Sequence, residues 1–167
     1  MRRVLGVCIV ATTFALPAGA GVSASVANGR IGYLRPLGGN EPPYGHLFAV
    51  NPDGTGAADL TPAGYTDVRS FAWSPNGRLV AFSALQDGPS WRPLGVWTIR
   101  PDGRRLRRVV AVGGSPAFAP DGRWLAFIWN RDGNLELYKA RVGGGEPIQL
   151  TNTYGITEST PRWQRAP

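Results

Sequence analysis

Few side chains in this sequence are equipped for chemistry. Its 167 residues include one histidine, His46, and one cysteine, Cys8. A serine–histidine–aspartate triad would have to use His46, yet no Gly-x-Ser-x-Gly elbow presents a serine to it. His46 also stands just before a short apolar run, where a loop or strand-edge residue is expected. A metal site of clustered imidazoles needs more than one histidine. Asn130-Arg131-Asp132-Gly133-Asn134-Leu135-Glu136 sets oxygen-bearing side chains at alternate positions, as a calcium loop does. Its glycine is at the wrong offset and its carboxylates are too few, so the segment reads as a hairpin turn. The residues predict no catalytic group, no metal and no cofactor, and a protein that is not an enzyme.

With so little chemistry to position, most of the sequence is scaffold. The apolar fraction is 43%, the charged fraction 17%, and there are 23 Gly and 15 Pro. That composition fits a globular chain of short strands and many tight turns. Arg2-Arg3, an apolar stretch from Val4 to Leu16 and a small-residue region ending in Ala18-Gly19-Ala20 and Ser25-Val26-Ala27 read as a signal peptide over 1–27. Cleavage is expected near 20 or 27. The apolar stretch is shorter than the ~20 residues that span a bilayer, so no membrane span is expected in the mature chain. Cys8 would leave with the leader, and no disulfide would remain. Loss of Arg2 and Arg3 lowers the net charge from +7 to +5. The basic cluster Arg104, Arg105, Arg107 and Arg108 reads as a solvated outer strand edge. Export argues against nucleic acid as its partner and leaves acidic glycans or an anionic envelope surface as the alternatives.

An internal repeat then fixes the architecture. Ser70-Phe71-Ala72-Trp73-Ser74-Pro75-Asn76-Gly77-Arg78 aligns with Ser115-Pro116-Ala117-Phe118-Ala119-Pro120-Asp121-Gly122-Arg123 at a spacing of 45, and Phe118 to Trp163 is 45 again. A second register matches Phe48–Gly54 with Trp97–Gly103, and more weakly with Tyr138–Gly144. An apolar position follows each copy, at Leu60, Val109 and Leu150. The four Pro-Asn-Gly or Pro-Asp-Gly turns suit hairpin tips in which Gly takes a positive φ. The run 123–130 is apolar on both alternating sets, which marks a strand buried on both faces. The middle unit reads as four strands, over about 69–74, 78–85, 95–100 and 106–112. A four-stranded unit of ~40–45 residues is the period of a propeller blade.

The motif Trp73-Ser74-Pro75-Asn76-Gly77-Arg78-Leu79-Val80-Ala81-Phe82, followed by an aromatic strand ending near Asp-Gly and then by Leu-Thr, resembles the repeat of TolB-type, WD-like β-propellers. The clearest copy runs from Ser115 to Thr151, although Phe118-Ala119 replaces Trp-Ser. The resemblance implies an all-β fold of four-stranded antiparallel blades, about three in this chain. Blade units are expected at 28–61 plus 159–163, 69–112 and 115–151, within a propeller region of 28–167. The resemblance also implies six blades in a closed ring, whereas three in an open arc would expose two apolar blade faces. Two outcomes follow: a head-to-tail homodimer in which each C-terminal strand completes the partner's first blade, or a truncated copy of a longer propeller.

In a propeller the loops between second and third strands, and those entering the next blade, gather on one face. Here they are 35–45, 86–94 and 130–134, with 62–68 and 152–158. They carry Tyr44, Asp67, Trp91, Tyr154 and Glu158, with Arg69 and Arg162 on the adjoining inner strands. Aromatics, arginines and carboxylates around a mouth suit recognition of a protein or a sugar. The expected function is an exported, non-catalytic scaffold for protein–protein interaction, in the periplasm, cell envelope or extracellular space. The alternative is a carbohydrate-binding propeller that stacks sugars on Trp91 and Tyr44. A more distant one, implied by the resemblance, is the propeller part of a prolyl oligopeptidase-like hydrolase.

Overall fold

The computed structural model describes residues 29–36, 45–86 and 94–165. These residues form three antiparallel sheets and no helix. The first sheet is β1 (Ile31–Arg35), β2 (His46–Val50) and β3 (Ala58–Asp59). The second is β4 (Tyr65–Trp73), β5 (Val80–Gln86), β6 (Gly95–Ile99) and β7 (Arg107–Val110). The third is β8 (Gly114–Phe118), β9 (Trp124–Asn130), β10 (Leu135–Arg141) and β11 (Ile148–Gln149). Each is a meander whose strands lie in chain order, and each is a propeller blade. The strands of the middle blade lie within a few residues of those the repeat predicts. The segment 1–28, where the signal peptide is expected, lies outside the described residues.

The hairpin tips are built alike. In each, the amide of Gly54, Gly77, Gly103 or Gly122 donates to the carbonyl three residues back at 2.9 Å, and φ at the glycine is between +67° and +83°. The Asn or Asp before each glycine turns its Oδ1 onto the backbone N–H two residues on: Asp53 to Thr55, Asn76 to Arg78, Asp102 to Arg104 and Asp121 to Arg123, at 2.9–3.0 Å. The side-chain oxygen thus satisfies an amide that the tight turn strands. This is why the Pro-Asn-Gly and Pro-Asp-Gly signature repeats.

Packing explains the two-faced strands. Along β5, Val80, Phe82 and Ala84 join Val68 and Ile99 of their own blade and pack with Leu47, Ala49 and Leu60 of the first. Ala81, on the opposite face, joins Val96, Val109, Phe118, Leu125, Phe127 and Tyr138 between the second and third blades. Tyr65 locks the first seam with edge-on contacts to Trp97 and Phe82, at 4.9 and 6.3 Å. The apolar position after each repeat records which blade has a neighbour. Leu60 and Val109 are 3% and 5% exposed, whereas Leu150 is 45% exposed.

Residues 159–163 form no strand. Trp163 Nε1 instead donates to the carbonyl of Ala117 in β8 at 3.0 Å. Within one chain they lie against the third blade, and β1 pairs only with β2 among the described residues. The expected union of 159–163 with 28–61 is therefore not made inside a single chain.

Candidate functional site

The seam between the second and third blades opens into a pocket. It is lined by Leu94, Val112, Gly113, Gly114, Ser115, Ile128, Trp129, Asn130, Leu135, Glu158 and Ser159, with a volume of about 410 Å³. These residues come from the start of β6, the connection from β7 into β8, the β9–β10 hairpin and the segment after β11. Of these, Leu94, Asn130 and Glu158 fall in the loops that the repeat singles out.

Glycine makes the close approach at this seam possible. A Cβ on Gly113, whose φ is +109°, would sit 2.6 Å from Phe127 Cδ2. One on Gly114 would lie 2.9 Å from Leu94 Cδ2. Beside them, Ser70 Oγ and Ser83 Oγ are 2.6 Å apart, and Ser115 N donates to Ser70 Oγ at 3.1 Å. Hydroxyls thus supply the backbone partner where a register shift in β8 interrupts the ladder.

At one end of the pocket, two carboxylates are tied into one polar knot. Glu136 is buried at 5% exposure. Its Oε1 accepts from Thr153 N at 2.7 Å and from the Asn134 amide at 3.0 Å, and its Oε2 from Thr151 Oγ1 at 2.7 Å. Glu158 Oε2 accepts from Leu137 N at 2.9 Å and also contacts Thr151 Oγ1. Glu158 Oε1 takes only the Thr153 hydroxyl, at 3.2 Å. The Thr151 hydroxyl, with help from Thr153 N–H and the Asn134 amide, holds the Glu136 carboxyl below the usual range despite burial. Neither carboxylate has an ion-pair partner among the described residues.

The first blade has a simpler counterpart. Thr61 Oγ1 accepts from Leu47 N at 2.8 Å, as Thr151 Oγ1 does from Leu137 N at 2.8 Å. The repeated Leu-Thr pair is thus a backbone device. His46, where the third blade has Glu136, lies 2.6 Å from Asp59 Oδ2 through Nδ1. Burial would raise the Asp59 pKa, but the His46 hydrogen bond and the N–H and hydroxyl of Thr61 outweigh it and lower the group. Among the described residues, no serine hydroxyl is hydrogen-bonded to His46.

The expected site residues are only partly gathered. Glu158 reaches the pocket. Asp67, at φ +52°, and Arg69 make an exposed ion pair at 4.0 Å on β4. Tyr154 is fully exposed, and among the described residues Arg162 donates to the neighbouring Pro161 carbonyl, at 3.2 Å. Tyr44 and Trp91 lie outside the described residues. Sequence reasoning missed Glu136, Thr151 and Thr153, and with them the apolar wall of Leu94, Val112, Trp129 and Leu135. A threonine at alternate positions 151 and 153, after a hairpin carrying a buried-register glutamate, was the available signal.

No protein-family profile matches the chain. A 92-residue stretch is 36% identical to tricorn protease homolog 1 of Streptomyces coelicolor, covering 53% of this chain and 8% of that protein. An 80-residue stretch is 32% identical to a TolB homolog of Chlorobium luteolum, covering 44% of this chain and 16% of that protein. The crystal structure of TolB from Acinetobacter baumannii superposes with a TM-score of 0.54 at 21% identity, over 66% of this chain and 27% of that one. The chain spans less than a third of each of these proteins, and the structural likeness concerns the fold.

Proposed function

We propose that these TolB-type β-propeller blades serve as an exported, non-catalytic scaffold for protein–protein interaction in the cell envelope or extracellular space. One observation carries the reading: an apolar pocket with a carboxylate at its end opens on the loop face, between two rigidly packed blades. Concave apolar sites with a few placed polar groups are where partners anchor. Loops on such a frame carry function because the frame fixes them. Export rests on the basic, apolar and small-residue sequence of 1–27. A head-to-tail homodimer belongs to the same proposal, because it would cover the apolar flank of the third blade.

The test is cross-linking of the tagged mature chain in the envelope of its own cells, with the partner identified and rebuilt from purified components. Substituting Leu135→Ala and Glu158→Gln should weaken that complex at least tenfold, whereas Arg104→Ala on the outer edge should not. A partner insensitive to the pocket pair would sink the reading. Strong selective binding on a glycan array would favour the carbohydrate alternative in its place.

A further inference from the structure

We infer that the pocket between the second and third blades receives an extended peptide carrying a large apolar side chain next to a cationic one, whose charge is met by Glu158. This rests on the scaffold reading and specifies its partner's chemistry.

Size and lining come first. A volume of about 410 Å³ falls in the ~300–1,000 Å³ range of small-ligand and anchor sites. It exceeds one side chain and suits an anchor together with its neighbouring residue. Leu94, Val112, Ile128, Trp129 and Leu135 supply a wall for an apolar group. No Lys, Arg or His is among the described lining residues. An anionic group would thus find carboxylate and no counter-charge among them.

Charge selects the second half of the ligand. Glu158 lines the pocket, and Glu136 stands behind it in the same knot. Neither has an ion-pair partner among the described residues, in a chain whose net charge is +7. Each carboxylate oxygen can accept two hydrogen bonds. Glu158 Oε1 has one, and a long one at 3.2 Å. A lysine, arginine or terminal amine that completes it would form a charge-assisted bond in a partly dry site. Glu136, by contrast, is buried and already accepts from Thr151, Thr153 and Asn134. It contributes field rather than contact.

The test uses fluorescein-labelled hexapeptides on the mature chain. Gly-Ser-Leu-Lys-Ser-Gly should bind, and replacing its Lys by Glu or its Leu by Ser should each weaken binding about tenfold or more. That is the loss expected for a hydrogen bond to a charged group or for a buried apolar anchor. Raising salt from about 0.05 to 0.5 M should shrink the Lys-over-Glu preference, because the pair is only partly buried. Glu158→Gln should abolish that preference, while Leu135→Ala should weaken both peptides and leave it intact. Should Glu158→Gln unfold the chain, the preference of the wild-type protein and its salt dependence still decide. Equal affinity for the Lys and Glu peptides, or none for either, overturns the inference. An envelope protein that binds while neither peptide does would leave the scaffold reading standing and remove only this one.

Discussion

At the scale of single residues, burial and hydrogen-bond capacity separate groups that stabilise from groups that do not. Tyr138 is 1% exposed, and its hydroxyl has no hydrogen-bond partner among the described residues. Its ring stacks on Phe127 at 5.9 Å and packs against Trp129 at 5.0 Å. A buried hydroxyl without a partner costs free energy, whereas the ring contributes it. Tyr138→Phe should therefore leave stability unchanged or raise it by about 1 kcal/mol in urea unfolding. Glu136 behaves oppositely. Its folded pKa lies below the unfolded value of ~4.3, so its contribution is fully present above that value and fades as pH falls through the lowered folded one. Thermal unfolding from pH 7 to pH 3 should show this acid loss in the wild-type chain and a shallower loss in Glu136→Gln. The sequence shows Glu136 only as one acid in a hairpin, because its ligands come from Thr151 and Thr153 on another strand connection. Glu158 is legible because it falls on a loop of the repeat.

At the scale of elements, turns and two-sided strands set the blade. Gly77 and Gly122 both sit at φ +67°. Open space surrounds the Gly77 position, and at Gly122 a Cβ would meet only Pro75 Cδ at 3.9 Å. Alanine there would meet no steric neighbour, so its cost isolates the backbone. Left-handed geometry disfavours a Cβ by about 1–2 kcal/mol. Gly122→Ala should lower stability by that amount and leave the strand register, read by amide exchange, unchanged. Phe82 is a different case: it is fully buried at the centre of the first seam. Phe82→Ala should cost about 3–5 kcal/mol, a large share of an ordinary stability of ~5–15 kcal/mol, read as a lowered midpoint in urea unfolding. These elements were legible because turn chemistry and apolar periodicity are local. The Pro-Asn-Gly tips and the strand starting near residue 124 needed no knowledge of neighbours. The resting place of Trp163 on Ala117 depends on a contact 46 residues apart in sequence and left no local trace.

At the scale of the molecule, equivalent positions have unequal surroundings. Leu60 and Val109 are covered by the following blade, while Ile148, Leu150, Ile156 and Trp163 are 38–60% exposed along the flank of the third blade. Burial of apolar surface is worth about 25 cal/mol per Å², and a flank of this kind favours association. At the other flank stands a three-stranded sheet with one side of β1 unpaired among the described residues, the surface that the proposed homodimer would use. Head-to-tail contact between such unlike flanks is heterologous, so it closes only if the rotation per chain divides a full turn. The proposed homodimer of two three-blade arcs would have to meet that condition as a six-blade ring. The mature chain should elute and scatter light as a particle of twice its mass, with no concentration-dependent growth beyond it. Leu150→Glu with Ile148→Glu should return it to the single-chain mass, since a charge in a buried seam lacks a partner. A wild-type chain that is already monomeric and soluble at tens of micromolar would remove the homodimer. Larger open assemblies would show that the flanks attract but that the arc does not close.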